Sequence, residues 1–325
     1  MAVLVTGADG FLGSFLVEEL LSRDHQVRCL VLPGEPLRWL KNLPVEICYG
    51  DVCQGGTLEG GVEGVDCIYH LAGVKTAWEE STYFRVNFHG TKNLLEAASR
   101  RNPRLKRFIY VSSQAAVGPS PDGHPVTEET ACRPVTSYGK SKQAAEEYLQ
   151  ARGREVPFTI LRPSFIYGPR NLETELLYGI IRWGVVPTIR RHDPYMNVIH
   201  VRDVVEGIIL AAEHEQACGQ IYFLTSPEPY TWREVIGQAL GIGNKKARLL
   251  PVPWTGVEFA AAVVKAYRRL RGQPFNLIDE KIKELRQKHW VCSGRKAKRE
   301  LGFEPQMSLA EGLRQTIRWY EGRGR

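Results

Sequence analysis

A glycine-rich turn near the amino terminus links a short apolar run to a helical pattern. The turn reads Gly7-Ala8-Asp9-Gly10-Phe11-Leu12-Gly13 after the run at Ala2–Thr6, and apolar side chains then recur at helical spacing over residues 11–23. A strand, a glycine turn and a helix in this order are typical of a parallel sheet that binds a dinucleotide. The glycines let the backbone approach the pyrophosphate, whose charge is held by free N–H groups at the start of the helix. The sequence therefore predicts a dinucleotide site lined by Gly7, Gly10, Phe11, Leu12 and Gly13.

Residues at the end of the second predicted strand normally choose between NAD and NADP. An acidic side chain there favours NAD, and a basic one favours NADP. This chain has Val31 and Leu32 at that end, and Glu35, Arg38 and Lys41 follow in the loop. The sequence therefore leaves the choice between NAD and NADP open, with NAD slightly favoured.

Strand-like and helix-like segments alternate along the amino-terminal half, which predicts an α/β fold around a parallel sheet. Strands are predicted at residues 26–32, 45–49, 65–71 and 107–113, and a helix at residues 83–101. The carboxyl ends of parallel strands share one edge of the sheet, where ligands bind. Candidate site residues at or just beyond these ends are Asp51, Val52, Leu71, Ala72, Gly73, Trp78, Ser112 and Ser113.

The segment Tyr138-Gly139-Lys140-Ser141-Lys142 opens an amphipathic helix that runs to about Arg152. Tyr138 and Lys142 are four residues apart and therefore share one face of that helix. A free phenol has a pKa near ~10, and an ammonium group beside it favours the phenolate and lowers that pKa. We therefore predict that the pair takes part in general acid–base catalysis.

Residues 254–271 predict a second amphipathic helix, in which apolar and basic residues separate onto two sides. The apolar residues are Phe259, Val263, Ala266, Tyr267 and Leu270, and the basic ones are Lys265, Arg268, Arg269 and Arg271. The pattern favours a helix packed on the core with its basic edge in solvent. The alternatives are a flap over an apolar substrate, or a surface in weak contact with an anionic membrane.

The net charge of +7 is concentrated towards the carboxyl terminus. Residues 244–325 hold 19 Lys and Arg against 8 Asp and Glu. We favour the interpretation that these basic residues lie on solvated helix faces. The alternative is that they contact anionic lipid, an anionic substrate or nucleic acid. The sequence has no nucleic-acid-binding motif, so a nucleic-acid partner is not expected.

Seven cysteines are scattered along the chain without a CxxC pair, and Cys29, Cys48 and Cys67 fall in predicted strands. An odd number of cysteines in such places favours reduced thiols and a cytoplasmic protein. The histidines form no metal-ligand pattern such as HExxH, so no metal is expected.

Eight segments, in order along the chain, carry a family pattern. They are TGADGFLG (residues 6–13), YGDV (49–52), HLAG (70–73), VNFHGTKN (86–93), SSQAAVG (112–118), YGKSK (138–142), LRPSFIYGP (161–169) and HVRDV (200–204). In these segments the chain resembles the extended short-chain dehydrogenase/reductase family, also described as the NAD-dependent epimerase/dehydratase family. Residues 288–292 (KHWVC) and 297–303 (AKRELGF) are most similar to its steroid-dehydrogenase-like and dihydroflavonol-reductase-like branch.

The resemblance implies a Rossmann-type doubly wound parallel sheet with a smaller, mixed carboxyl-terminal substrate domain. We expect residues 1–171 to bind the dinucleotide and residues 172–325 to bind the substrate, with a stretch around residues 197–225 returning partly to the core. Helices are predicted at residues 173–183, 202–213 and 231–240, and a strand at residues 220–225. Members of this family often dimerise through two helices, here residues 83–101 and 137–152, so a homodimer is expected.

The resemblance also implies that Ser113, Tyr138 and Lys142 form the catalytic set. Ser113 would hydrogen-bond the substrate oxygen, and Tyr138 would exchange a proton with it while hydride moves to or from the nicotinamide. Lys142 would hold the ribose hydroxyls and lower the pKa of Tyr138, so Tyr138 and Lys142 also contact the cofactor. Alignment on Gly118 selects Ser113 over Ser112.

Further residues take roles from the same resemblance. Asn87 would support a proton relay. The stretch from Pro163 to Ile166 would pass beside the nicotinamide, with both of these residues in contact with the cofactor. Family members that act on nucleotide sugars commonly have asparagine where this chain has Phe165, which cannot hydrogen-bond a sugar. The predicted substrate contacts are Trp78, Gln114 and Phe165.

These features favour an NAD(P)-dependent oxidoreductase that interconverts a secondary alcohol and a ketone on a small, fairly apolar substrate. The alternative is a nucleotide-sugar epimerase or dehydratase that retains its nicotinamide cofactor. A cofactor-sensing protein without chemistry is a third interpretation. The combination of Ser113, Tyr138 and Lys142 argues against it, because a sensor needs no proton-transfer groups.

Overall fold

The computed structural model describes residues 1–153, 155–243, 247–274 and 276–323. In chain order, its strands are β1 (Ala2–Thr6), β2 (Gln26–Val31), β3 (Glu46–Tyr49), β4 (Cys67–His70), β5 (Arg107–Val111), β6 (Phe158–Pro163), β7 (Phe165–Tyr167), β8 (Val185–Ile189), β9 (Tyr195–Met196), β10 (Val198–His200), β11 (Ile221–Leu224), β12 (Tyr230–Thr231), β13 (Arg248–Val252) and β14 (His289–Trp290). Its helices are α1 (Phe11–Ser22), α2 (Glu59–Val62), α3 (Glu80–Tyr83), α4 (Gly90–Arg101), α5 (Ser137–Ala151), α6 (Leu172–Trp183), α7 (Val201–Glu213), α8 (Trp232–Ile242), α9 (Trp254–Leu270), α10 (Asn276–Leu285), α11 (Arg295–Leu301) and α12 (Leu309–Arg323).

The main sheet of the described chain has seven parallel strands in the order β11-β6-β5-β4-β1-β2-β3. The chain winds outwards from β1 in one direction through β2 and β3, and in the other direction through β4. The direction changes between β1 and β4, where Thr6 pairs with both Leu30 and His70. Ligands bind at the carboxyl ends of strands beside such a switch point. The predicted Rossmann-type doubly wound sheet is confirmed.

Helices cover both faces of this sheet and bury its apolar side chains. One face packs against α1, α7 and α11, with Leu16 and Ile208 fully buried. The other face packs against α2, α4 and α5, with Leu94 and Leu149 fully buried. Each such side chain contributes roughly 1.5–3 kcal/mol when it leaves water. This burial fixes α5, the helix that carries Tyr138 and Lys142, against the sheet.

The helix predicted at residues 83–101 is present but is not uniform. It begins as α3, continues as a π-helix over Phe84–His89 and becomes α4 at Gly90. Asn87 is buried in the π-helical stretch, with its side chain turned inwards. Such stretches are rare and occur frequently at functional sites. Apolar periodicity alone carries no signal for this change in helix type.

The carboxyl-terminal part adds small sheets of mixed direction. Their strand orders are β10-β7, β12-β9-β14 and β13-β8. A separate apolar cluster joins β7, β8, β10, α8 and α12, and Val235 and Leu313 are buried within it. Within about two residues, α6, α7, α8 and β11 match the helices and the strand predicted for this half. β11 joins the main sheet beside β6.

The prediction that α9 packs on the core is wrong. None of the residues of this helix is buried, and Phe259 and Leu270 are 72% and 88% exposed. Apolar periodicity identifies which side of a helix is apolar but not which side faces the protein, and the sequence could not supply the second fact. None of the described helices is both long enough and apolar enough to cross a membrane.

Candidate active site

The glycine turn after β1 lies against the end of β4. Gly7 has a φ of +67°, and a Cβ there would lie 2.8 Å from the backbone nitrogen of Ala72. A Cβ at Gly13, in the first turn of α1, would overlap the carbonyl oxygen of Gly7. A larger residue at either position would therefore push α1 away from the strand.

The start of α1 suits a pyrophosphate. No side chain caps this helix at Gly10, and the first turn contains no acidic residue. The N–H groups of the first turn of an α-helix have no partner within the helix, and together with the helix dipole they bind anions. Phe11, Leu12 and Gly13 supply these groups. The turn therefore fits the pyrophosphate of a dinucleotide.

Asp9 ties the glycine turn to the loop that follows β2. Its carboxylate accepts backbone N–H groups of Arg38 at 2.8 Å, Trp39 at 2.7 Å and Leu40 at 3.2 Å. Arg38 and Glu35 are both exposed. The loop thus carries one acidic side chain, Glu35, and two basic ones, Arg38 and Lys41, and the backbone of Arg38 is fixed beside the turn.

Asp51 and Val52 follow β3. The Asp51 Oδ1 accepts the N–H of Cys53 at 2.8 Å, and the Asp51 N–H donates to Thr57 Oγ1 at 3.0 Å. Val52 is buried against Gly90, where a Cβ would lie 2.8 Å from Val52 Cγ2. Asp51 therefore organises a turn in this structure, and its contact with adenine stays a prediction.

The segment after β4 is clamped by Asn87. The backbone N–H of Val74 donates to Asn87 Oδ1 at 2.8 Å, and Asn87 Nδ2 donates to the Val74 carbonyl at 3.0 Å and to Ser141 Oγ at 2.9 Å. Ala72 donates its N–H to Thr6 Oγ1 at 3.1 Å. These contacts hold Leu71, Ala72 and Gly73 at the carboxyl edge of the sheet. They give Asn87 a positioning role, and its part in a proton relay stays a prediction.

The first turn of α5 places Tyr138 beside Ser113. Thr136 caps this helix by accepting the Gly139 N–H at 3.1 Å. Gly139 packs against the short turn Gln114–Ala116 so closely that a Cβ there would overlap the carbonyl oxygen of Ala115. The Ser113 hydroxyl lies close enough to the Tyr138 phenol to lower its pKa. The close approach of two backbone segments therefore brings the two hydroxyls together.

The two neighbouring serines point in different directions. Ser112 donates to the carboxylate of Glu146, which also pairs with Arg162 at 2.6 Å. Ser112, Glu146 and Arg162 are all buried. The structure therefore places Ser113 at Tyr138, and it assigns Ser112 to a buried ionic network behind the site.

The pKa values of Tyr138 and Lys142 follow from burial. Burial raises the pKa of Tyr138 to about 12, although the neighbouring Ser113 hydroxyl opposes this rise. Burial lowers the pKa of Lys142 to about 8, against the attraction of Glu146. The Lys142 ammonium donates to the Val111 carbonyl at 2.8 Å and lies 4.7 Å from the ring centroid of Tyr110. The expectation that Lys142 lowers the pKa of Tyr138 is therefore wrong for this arrangement, because desolvation of the phenol dominates.

The predicted substrate residues lie around this centre. The Phe165 ring is half-buried, and the Lys75 ammonium lies 5.1 Å from its centroid. Trp78 is exposed, and the Arg268 guanidinium lies 3.5 Å from its ring centroid. Gln114 is buried, and its Nε2 has no hydrogen-bond partner among the described residues.

Two chain connections relate these residues to the catalytic set. Tyr83 contacts the segment that carries Trp78, because its hydroxyl bonds the N–H and the carbonyl of Ala77 at 2.9 and 3.2 Å. The rings of Tyr83 and Tyr138 are 6.4 Å apart. Pro163 ends β6 and Ile166 lies in β7, so the chain passes along the carboxyl edge of the sheet between them.

Several supporting residues were missed at the sequence level. Glu280 accepts the N–H of Ser137, and Glu80 accepts the Ser137 hydroxyl at 2.9 Å, so two carboxylates hold the start of α5. Nothing in the local sequence links Glu280 to a helix so far away. Two other signals were readable, because Gly139 lies inside the YGKSK motif and Glu146 lies one helical turn beyond Lys142.

Known proteins of one family match this chain over most of its length. A family model described as "NAD dependent epimerase/dehydratase family" matches residues 3–224. A protein named ceramide reductase, from Caulobacter vibrioides, is 29% identical over 99% of this chain and 95% of its own length. A ketoreductase from Stigmatella aurantiaca, named for 4-hydroxy-2-methyl-3-oxo-4-farnesyl-3,4-dihydroquinoline-1-oxide, is 30% identical over 96% of this chain and 95% of its own length.

A solved structure extends the likeness to three dimensions. The dTDP-glucose 4,6-dehydratase DesIV of Streptomyces venezuelae, with NAD and TYD bound, has a TM-score of 0.81 and 25% identity. The match covers 100% of this chain and 98% of that one. The sheet order, the glycine turn and the family match agree, and the chain belongs to the NAD-dependent epimerase/dehydratase family.

Proposed function

We propose that this protein is an NAD(P)-dependent oxidoreductase that interconverts a secondary alcohol and a ketone on a small, fairly apolar substrate. The observation that carries the proposal is the proximity of the Ser113 hydroxyl to the Tyr138 phenol, with Lys142 one turn along the helix that carries Tyr138. This proton-transfer centre lies at the carboxyl edge of the main sheet, which also carries the glycine turn. A sensor of cofactor would not need such a centre.

The proposed chemistry assigns one task to each side chain. Tyr138 holds its proton at neutral pH, because burial raises the pKa of its phenol to about 12. It is therefore ready to protonate the oxygen of a ketone as that oxygen gains charge. Ser113 would hydrogen-bond the same oxygen, and Lys142, with a pKa of about 8, is mainly an ammonium at neutral pH.

The chain offers a consistent set of residues for the nicotinamide cofactor, which would supply or accept the hydride when bound. Gly7, Gly10, Phe11, Leu12 and Gly13 would hold its pyrophosphate at the start of α1. In the same proposal Asp51 and Val52 meet the adenosine end. The nicotinamide half would lie between Leu71, Ala72, Gly73, Tyr138, Lys142, Pro163 and Ile166.

NAD is the proposed form of the cofactor. The family is described as NAD-dependent, and the DesIV structure contains NAD. The last residues of the second strand region, Val31 and Leu32, carry no basic group for a 2′-phosphate. Arg38 is the nearest competing feature, because Asp9 fixes its backbone beside the glycine turn.

An apolar substrate is supported by two observations. Phe165 and Trp78 offer ring surfaces, and Gln114 Nε2, which has no hydrogen-bond partner among the described residues, leaves a donor for a substrate oxygen. Two relatives carry the names of ceramide and of a farnesyl-bearing compound, and both of these molecules contain long apolar chains. A buried Phe165 contact would contribute roughly 1.5–3 kcal/mol to an apolar partner.

A nucleotide-sugar epimerase is the second candidate, and the likeness to DesIV favours it. The two candidates differ in net electron flow. A dehydrogenase consumes one reduced cofactor for each ketone that it reduces, whereas an epimerase returns the hydride to the same substrate. For a dehydrogenase, absorbance assays with NADH and a panel of long-chain and steroid ketones would show loss of reduced nicotinamide with an equal yield of alcohol. Conversion of UDP- or dTDP-sugars without net change in NADH would overturn the proposal.

We also propose a division of the chain, a cellular compartment and an oligomeric state. Residues 1–171 would bind the cofactor and residues 172–325 the substrate. The protein would work in the cytoplasm, as its unpaired cysteine thiols suggest. It would form a homodimer through α4 and α5. Light scattering of the purified chain measures its molar mass and so tests whether it is a dimer.

A further inference from the structure

The helix α9 presents its apolar side to solvent. Four apolar side chains on one face, Phe259, Val263, Tyr267 and Leu270, are 72%, 51%, 54% and 88% exposed. They recur every three or four residues, so they form a continuous strip, which we call the α9 strip. A helix of 17 residues is about 25 Å long. Exposed apolar patches of this kind mark interaction sites in folded proteins.

The opposite side of α9 faces the protein, and there Val257 and Ala261 are half-buried beside Lys265 and Arg268. Lys265 pairs with Asp279, and Glu258 pairs with Arg286 at 2.6 Å, so ionic contacts hold this side to α10. A cavity of about 650 Å³ lies between the two helices, and charged side chains contribute much of its lining. Ion pairs and a few half-buried apolar residues therefore hold the inner side of α9, and its strip of exposed apolar side chains stays in solvent.

Basic side chains border the α9 strip at both ends. Arg271 follows the last turn of α9 and lies 4.9 Å from the Tyr267 ring centroid. Arg190 and Arg191 are exposed near the other end, where the Arg190 N–H donates to the carbonyl of Val252, just before the helix begins. The structure shows no ion pair for these three arginines among its described residues.

We propose that the α9 strip docks on the surface of an anionic phospholipid bilayer. The apolar strip would enter the boundary between head groups and acyl chains, and the arginines at its ends would meet phosphate groups. Helices that lie in a membrane interface have this combination of an apolar face and basic residues. Each basic side chain near an anionic leaflet adds about 1 kcal/mol, which is roughly a fivefold gain in binding.

Two other occupants fit the observations less well. A second copy of the chain, paired face to face, would bring like charges together, because a two-fold interface repeats the same patch on both sides. The substrate of the same chain cannot lie under the strip, because the strip points away from Trp78 while Arg268, on the inner side, covers that ring. The bilayer satisfies both the apolar strip and its basic ends.

The inference does not depend on the proposed function, but the two are compatible. Trp78, a candidate substrate contact, lies directly beneath the Arg268 side chain of α9. A bilayer at the α9 strip would therefore adjoin the edge of the candidate site. A substrate with a long apolar chain could then enter from the membrane side.

Vesicle flotation tests the docking. The full chain is mixed with vesicles of phosphatidylglycerol and phosphatidylcholine in a one-to-three ratio, and with vesicles of phosphatidylcholine alone. We expect the wild type to float with the anionic vesicles and to bind the neutral ones at least about fivefold more weakly. The double variant Phe259→Ser with Leu270→Ser should bind anionic vesicles at least about tenfold more weakly. Arg271→Gln should lower the same binding about fivefold.

A matched control carries the same kind of change elsewhere. Tyr49 is an exposed aromatic residue on β3, an edge strand of the main sheet and not part of the α9 strip. The variant Tyr49→Ser should bind vesicles as the wild type does. Circular dichroism checks that each variant is folded. The proposal is overturned if the folded wild type does not float, if the double variant floats equally well, or if the strip instead mediates a dimer that the double variant abolishes.

Discussion

The Ser113 hydroxyl lies beside the Tyr138 phenol, while the hydroxyl of the adjacent Ser112 donates to Glu146 inside the protein. Of these two adjacent serines, Ser113 therefore faces the candidate site and Ser112 supports the fold. The two serines can be distinguished by what each substitution damages.

Ser113→Ala should reduce turnover, and Ser112→Ala should reduce stability. The first variant removes a hydrogen-bond donor to the substrate oxygen, so we expect kcat to fall about 10²–10³-fold. The second leaves the buried Glu146 with one partner fewer, so we expect the free energy of unfolding to fall by about 1–3 kcal/mol. Steady-state kinetics and urea denaturation of both variants check this. Equal losses of turnover in the two variants would refute the assignment.

Gly139→Ala should damage both the fold and the site. A Cβ at this position overlaps the carbonyl oxygen of Ala115, so α5 must shift and carry Tyr138 with it. We expect a loss of about 1–3 kcal/mol in the free energy of unfolding, and a fall in kcat of about 10²-fold.

Gly237→Ala is the matched control for this change. Gly237 lies in the exposed middle of α8, where a Cβ meets nothing within 4 Å. This variant should be more stable by roughly 0.5–1 kcal/mol, because alanine restricts the unfolded chain more than glycine does. If Gly139→Ala behaved like Gly237→Ala, the close approach of α5 to Ala115 would be refuted.

The titration of Lys142 should appear in the pH dependence of stability. The pKa of Lys142 is about 8 in the folded chain, below its ordinary value of 10.5. Between these two pH values the unfolded chain binds the proton that the folded chain has lost, so the contribution of Lys142 to stability rises with pH. Below pH 8 both states hold the proton, and its unfavourable contribution is constant.

The difference in unfolding free energy between the wild type and Lys142→Met isolates this effect from other titrating groups. We expect the difference to change by about 2–3 kcal/mol in favour of the wild type as pH rises from 8 to 10.5. Urea denaturation at several pH values measures it. A difference that stays constant over this range would show that Lys142 is not desolvated.

Arg38→Ala tests the choice of cofactor. If NAD is the natural cofactor, the wild type should bind NADH more tightly than NADPH, and Arg38→Ala should leave the affinity for NADH unchanged. Lys41→Ala, in the same loop, serves as the control. Isothermal titration calorimetry gives the affinities of each protein for NADH and for NADPH. A wild type that prefers NADPH, with that preference lost in Arg38→Ala, would identify Arg38 as the contact to a 2′-phosphate.

The sequence predicted the main sheet well because local signals agree with the fold there. β1 and the start of α1 lie where the glycine turn requires them, and the ends of the other strands differ by only a few residues. Tyr138 and Lys142 share α5, as their spacing requires. In these regions the structure follows from signals that lie close together in the sequence, namely apolar periodicity, turn residues and the order of the strands.

Other features depend on partners that are distant in sequence, and the sequence could not reveal them. The carboxylate that holds Ser137 comes from Glu280, and the clamp on Val74 comes from Asn87. The pKa of Tyr138 depends on how deeply the whole fold buries its phenol, which outweighed the nearby Lys142. The outward orientation of α9 likewise depends on ion pairs such as that between Lys265 and Asp279.

The role of Tyr138 is tested most directly by comparing the wild type with Tyr138→Phe in the reduction of an apolar ketone by NADH. We expect the variant to bind NADH normally, because the ring and its packing remain, and we expect kcat to fall about 10²–10⁴-fold, because the proton donor is lost. Retention of wild-type turnover in a folded Tyr138→Phe protein would contradict this expectation.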